Sequence, residues 1–161
     1  MSFLQSKRLE RGAEKETRTL IAALILALVF IALDQITKAA VVKYIRFGER
    51  IPVIPDFFNL TYITNTGAAW GILAGHGWLL LLISFAVLIA VIYFIHTLTD
   101  GWPERIYAIA LIVSGIVGNS IDRIFRREVV DFLQFLFGKY QYPSFNIADS
   151  CICVGVFIFI L

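Results

Sequence analysis

Charge is scarce in this chain and nearly cancels, with 14 Lys and Arg against 12 Asp and Glu in 161 residues, a formal net charge of +2. With no dense basic run interleaved with aromatics, nucleic acid is set aside as a partner. Cysteine is almost absent. The two present, Cys151 and Cys153, stand two apart in an apolar helical run, so they face different sides of it and suit neither a metal site nor a disulfide. Both are expected to be packing residues. Histidine is equally rare, and His76 and His96 lie beside the ends of the second apolar block. Each is read as an interfacial polar residue, and no metal is expected. The chain has no internal repeat and no low-complexity tract.

What is abundant is apolar surface. Hydrophobic residues make up 59% of the chain and the mean hydropathy is +0.81, against roughly 45–50% apolar residues in a soluble domain. These residues gather into four blocks, and a block of about 20 is what a helix needs to cross some 30 Å of hydrocarbon. Spans are predicted over about 19–42, 78–95, 106–124 and 146–161, all within a single membrane domain. The fourth is short for a span, and a little more sequence is expected beyond Leu161. Residues 1–18 carry Lys7, Arg8, Arg11, Lys15 and Arg18. No small-residue cleavage site follows the first block, so it is read as a retained span rather than a leader. Its basic flank puts residues 1–18 in the cytoplasm. Arg105 joins those five on the inside, while Lys43, Arg46, Arg50, Arg126, Arg127 and Lys139 fall outside, six against six. The first helix usually dominates orientation, so both termini are expected inside and the loop 43–77 outside.

Between the first two spans, residues 51–70 are rich in aromatic and β-branched types, with Pro52 and Pro55 among them. Phe57 to Thr64 reads as a strand and Asn65-Thr66-Gly67 as the turn ending it, which predicts a small extracytoplasmic β element. In residues 125–145 the run from Phe132 to Phe137 is expected to lie along the membrane surface as a short amphipathic element. The fold class expected is an all-α membrane protein of four transmembrane helices with that β element.

An ionisable residue in or beside a span is costly, and so marks a functional site by default. Four carboxylates qualify, namely Asp34, Asp122, Asp131 and Asp149. Alternating crossings bring all four to one membrane face, together with Asn65, Asn119 and Asn146. Each has an ordinary reading as well. Asp34 and Lys38 are spaced as a structural i, i+4 ion pair, Asp122 beside Arg123 can be a helix-end charge pair, and Asn146 can cap the last helix with Asp149 at N3. Four together are harder to dismiss, because two close carboxylates cannot both ionise easily. One then keeps a proton while the other acts as a base, the arrangement with which aspartyl proteases activate water. No competing nucleophile is evident, since Ser84, Ser114 and Ser120 have no histidine base nearby and both cysteines lie in an apolar run. A small proton-coupled transporter is the alternative, since such carriers also use intramembrane Asp residues, although here the polar residues sit at one edge rather than at the midplane.

Five stretches carry a resemblance, in order: Asp34-Gln35-Ile36-Thr37-Lys38, Asn65-Thr66-Gly67-Ala68-Ala69-Trp70, Gly118-Asn119-Ser120-Ile121-Asp122-Arg123, Val129-Val130-Asp131-Phe132 and Phe145-Asn146-Ile147-Ala148-Asp149. Together, over residues 34–149, the chain resembles the lipoprotein signal peptidases (signal peptidase II). The resemblance implies a multi-pass aspartic endopeptidase of the bacterial inner (cytoplasmic) membrane, active near the outer face. Its substrate would be a diacylglyceryl prolipoprotein, cut just before the lipid-bearing cysteine. It implies Asp131 and Asp149 as the catalytic pair, with Asn65, Asn119, Arg123 and Asn146 shaping the substrate site and Asp34, Lys38 and Asp122 supporting the polar network. No cofactor is implied. Membrane lipid is the other expected partner, and a monomer the expected state. Asp122 and Asp131 both precede Asp149 and both reach the outer face. Asp131 lies where the chain can fold back over the fourth span, whereas Asp122 sits in the helix next to Arg123. Trp70 stands where the family pattern has Phe.

Overall fold

A computed structural model describes residues 3–161; residues 1–2 lie outside the described residues, as do the side chains of 3–11, 13 and 69. Of the basic N-terminal run, Lys7, Arg8 and Arg11 are therefore placed by their backbone only. Helix α1 (Phe3–Tyr44) leads to strands β1 (Arg50–Ile54) and β2 (Phe58–Asn65), and a short 3-10 turn over Ala69–Gly71 precedes helix α2 (Gly77–Thr99). Helix α3 (Pro103–Phe125), strands β3 (Val129–Phe137) and β4 (Tyr140–Gln141), and helix α4 (Ile147–Ile160) complete the chain.

Among the described residues, three stretches, Glu14–Tyr44, Gly77–Thr99 and Pro103–Phe125, are long and apolar enough to cross a membrane. At 14 residues, α4 is shorter, and at 1.5 Å per residue it reaches only about 21 Å. Large apolar side chains such as Leu24, Ile36, Ile89, Ile92 and Phe157 are exposed, while Asp34, Lys38, Asp122 and Asn146 are at most 1% exposed. In water this inversion would be untenable. In hydrocarbon it is the stable arrangement, because lipid solvates the apolar faces and the charges must find one another.

Helix α3 is the centre of the bundle and packs against α4, α1 and α2. Small residues allow the closest approach. A Cβ on Gly118 would stand 2.7 Å from Asp34 Oδ2, and one on Gly155 2.7 Å from the Ala108 carbonyl oxygen. By contrast Thr99 is the one buried residue of α2, so that helix presents its sides outward.

The four strands form an antiparallel sheet in the order β1-β2-β3-β4. The stretch Phe132 to Phe137, expected as an amphipathic element along the membrane, is instead part of β3. Its residues pair with β2, Phe58 opposite Phe135 and Leu60 opposite Leu133. Phe135 stacks on Phe58 and on Phe145. Helix α1 begins at Phe3, so the basic segment before the first apolar block is helical and continuous with it. Two backbone ties place the site. The Leu133 N–H donates to the Phe145 carbonyl at 2.9 Å and the Phe145 N–H donates back at 3.0 Å, so the chain enters α4 directly beside β3. The register then sets Asp131 across from Ile63 and Val129 across from Asn65.

Candidate active site

Helices α1, α3 and α4 and strand β3 converge where α1 supplies Asp34, Gln35 and Lys38, α3 supplies Asn119, Asp122 and Arg123, β3 supplies Asp131, and the start of α4 supplies Asn146 and Asp149. All four carboxylates singled out in the sequence are gathered there, but in two layers. The lower layer is a buried charge cluster. Lys38 Nζ donates to Asp34 Oδ2 at 2.8 Å and to Asp122 Oδ2 at 2.9 Å, and Arg126 pairs with Asp122 Oδ1. Asp34 Oδ1 accepts the Ala148 N–H at 2.9 Å, and Asp122 Oδ2 accepts the Val130 N–H at 3.2 Å. Such pairs are tolerable in a dry interior only when every lone pair is met.

The upper layer faces a cavity of about 540 Å³ whose lining includes Asn65, Asn119, Arg123, Asp131 and Asp149. Asp34, Lys38, Asp122 and Asn146 do not line it. Asn146 joins the two carboxylates of this layer. Its Nδ2 donates to Asp131 Oδ1 at 2.8 Å, its Oδ1 accepts the Asp149 N–H at 2.9 Å, and its own N–H donates to Asp149 Oδ2 at 3.3 Å. The last two bonds are a capping box, in which two orphan donors at the helix start satisfy each other. The capping role and the site role therefore reside in the same side chain. Asn119 Nδ2 donates to Asp149 Oδ1 at 2.7 Å. Burial pushes the Asp131 carboxyl up to about 7 and the adjacent Asp149 raises it too, against the pull of hydrogen bonds from Asn146 and Asn65 and of the Lys38 charge.

Arg123 extends over the cavity, where its Nη2 donates to the Gly67 carbonyl at 3.0 Å and its charge faces Asp149, Asp131 and Asp122. Its Nε is buried without a partner among the described residues. The reading of Asp122 as a pair with neighbouring Arg123 gives way to contacts with Lys38 and Arg126, because successive helical residues point apart and residues four apart meet. Asn65 ends β2 and accepts the Gly67 N–H at 2.8 Å, an Asx turn that sets the loop beneath Trp70. Trp70 itself is exposed and meets Tyr142 edge-on across the cavity mouth, 6.4 Å between ring centroids.

Two residues gain roles here that sequence reasoning did not give them. Gln35 Nε2 donates to Asp34 Oδ2, to the Gly118 carbonyl and to Asp122 Oδ1 at 3.1–3.3 Å, while its Oε1 accepts from Arg126 at 3.4 Å. The signal was present, since Gln35 interrupts an apolar block and Arg126 stands four residues after Asp122. Cys153, expected to pack, is exposed and borders the cavity, whereas Cys151 is buried.

A chain with apolar helices of spanning length around a buried ionic core is a multi-pass membrane protein, and one that sets two carboxylates on a shared cavity has the parts of a hydrolase. The family model described as signal peptidase (SPase) II matches residues 26–161. Among similar proteins are the lipoprotein signal peptidase of Bacillus subtilis (strain 168), 49% identical over 133 residues, covering 83% of this chain and 86% of that protein, and that of Bacillus pumilus (strain SAFR-032), 47% identical over 136 residues with the same coverage. A bacterial membrane enzyme solved by the in meso method at 2.3 Å superposes with a TM-score of 0.81 at 37% identity, covering 86% of this chain and 85% of that one. The chain belongs to the signal peptidase II family.

Proposed function

We propose that the protein is an aspartic lipoprotein signal peptidase, which cleaves the leader of a diacylglyceryl-modified prolipoprotein before its lipid-bearing cysteine, with Asp131 and Asp149 as the reacting pair. The observation that carries this reading is the bridge through Asn146, which presents both carboxyls to one cavity. Asp149 accepts an N–H on each oxygen, and Asp131, raised to about 7, can hold the proton that the pair shares.

The ionised carboxyl takes a proton from water as the water oxygen bonds to the scissile carbonyl carbon, and the protonated carboxyl gives its proton to the carbonyl oxygen. The tetrahedral diol then collapses, its C–N bond breaks, and the amine leaves with a proton returned from the pair. The Arg123 guanidinium, with its buried free Nε, suits a substrate backbone carbonyl. Beyond the polar layer the cavity is lined by Ile152, Cys153 and Val154 on α4, an apolar flank suited to acyl chains.

The finer topology belongs to the same proposal. Helix α4 acts as a fourth, short span, both termini lie in the cytoplasm, and the sheet and cavity sit at the outer face of the bacterial cytoplasmic membrane. The protein acts as a monomer. The family membership and the edge position of the polar residues disfavour a proton-coupled carrier, whose polar groups would be expected near the bilayer midplane. The test is cleavage by purified protein of the same prolipoprotein with and without the diacylglyceryl group. Lipid-dependent release of the leader is expected, and indifference to the lipid would overturn the substrate assignment.

A further inference from the structure

The Lys38 ammonium is fully buried, and no step of the proposed chemistry touches it. Its partners are Asp34, Asp122 and, at 3.0 Å, Asn119 Oδ1. An ammonium only donates, so the Asn119 atom that faces it is the carbonyl oxygen. Asn146 Nδ2 donates to the same oxygen at 3.2 Å, and Asn146 is itself fixed, because its Oδ1 accepts the Asp149 backbone N–H. The Asn119 amide is thus pinned from two sides. Its Nδ2 is turned to Asp149 Oδ1, 2.7 Å away.

We infer that Lys38 is a positioning residue for the reacting pair, acting through Asn119, whose amide it orients toward Asp149, and supplying from outside the cavity a buried positive charge that favours the singly ionised pair. This rests on the reading of Asp131 and Asp149 as that pair. The charged groups around the pair are Lys38 and Asp34 from α1 and Asp122 and Arg123 from α3, with Arg126 taken up by Asp122 and Gln35. Lys38 and Arg126 balance Asp34 and Asp122, so the buried cluster is neutral. The Lys38 charge favours the ionised form of the pair, and removing it makes loss of the first proton harder.

The test is single-turnover cleavage as a function of pH. Lys38→Met alone would leave a buried carboxylate uncompensated, so it is combined with Asp34→Asn, which keeps the cluster neutral and retains an acceptor for the Ala148 N–H. Asp34→Asn also removes a negative charge that opposes part of the Lys38 effect on the pair, so the pH–rate profile is expected to move to higher pH by less than about one pH unit, with the maximal rate down about tenfold or more and KM little changed. Asn119→Ala leaves Lys38 both of its carboxylates and cuts the link to Asp149; its profile should move in the same direction. If either variant, at matched folded concentration, keeps the wild-type profile, Lys38 is structural only and the inference fails, even when melting temperature drops. Should the double variant not fold, Lys38→Gln with Asp34→Asn takes its place, keeping a donor for Asn119 Oδ1 without the charge, and a wild-type profile there overturns the inference. Asp149→Asn separates the two readings. If it still cleaves, the pair itself is misassigned; if it is dead while the Lys38 and Asn119 variants keep the wild-type profile, only this inference is lost.

Discussion

Asn146 holds together what the account treats as two functions, the start of α4 and the geometry of the reacting pair, and substitutions can separate them. Asn146→Ala removes the acceptor for the Asp149 N–H and the donor to Asn119 Oδ1, the Val130 carbonyl and Asp131 Oδ1. Loss of an N-cap costs about 1 kcal/mol. A buried acceptor stripped of its donor costs about 1–3 kcal/mol, and the Val130 carbonyl and Asp131 are both left short, so a total of roughly 3–7 kcal/mol follows. Asn146→Ser keeps a side-chain oxygen that can cap but has no amide to reach Asp131. It should recover about 1 kcal/mol of stability and little activity. Because the Asn146 bond holds Asp131 down, its loss raises that carboxyl further, and the activity remaining in both variants should peak at higher pH than in wild type. Thermal unfolding in detergent micelles gives the first quantity and single-turnover cleavage the second. Full activity in Asn146→Ser would refute the reasoning, because it would leave the cap as the residue's whole contribution.

Asp131 is held above its ordinary value of 3.8 at about 7, so the native state binds the extra proton between those limits. Stability from this group is therefore lost as pH rises through that window. Asp131→Asn should melt higher than wild type above neutral pH, with the gap closing toward pH 3.8; melting curves across the range check it, and a constant gap would contradict the burial cause. Gly118→Ala places a methyl 2.7 Å from Asp34 Oδ2 and 3.2 Å from Ala148 Cβ, and overpacking of this kind costs about 1–3 kcal/mol. An unchanged melting temperature would show that α1 and α4 can give way there.

Three helices of spanning length were legible because a span obeys one rule, an apolar run of sufficient length, which Gly77–Thr99 satisfies without interruption and the 14-residue α4 does not. The carboxylates were legible by the same rule inverted, since Asp34, Asp122 and Asp149 stand in or beside runs where charge is expensive. The strand at Phe58–Asn65 could be read from its β-branched and aromatic content. Its partner at Val129–Phe137 could not, because a short apolar run broken by two polar residues, Asp131 and Gln134, suits a helix face or a strand equally well. What settles it is pairing with residues some 75 positions earlier, as in Asn59 Nδ2 donating to Gln134 Oε1, and that is not local information. The division of four carboxylates into two layers was hidden for a similar reason. Lys38 meets Asp34 by helical spacing, but it meets Asp122 only through the packing of α1 on α3.

The central claim is that Asp131 and Asp149 act as one acid–base unit while Asp122 supports them. Single-turnover cleavage of a lipid-modified prolipoprotein by wild type, Asp131→Asn, Asp149→Asn, the double variant and Asp122→Asn, at matched folded concentration, tests it most directly. Both single variants should lose cleavage, with the double scarcely worse than either because they share one water, and Asp122→Asn should lower folded yield or substrate binding more than the chemical step. Near-normal turnover in Asp131→Asn with none in Asp122→Asn would hand the role to Asp122, and cleavage by every variant would contradict the aspartyl mechanism itself.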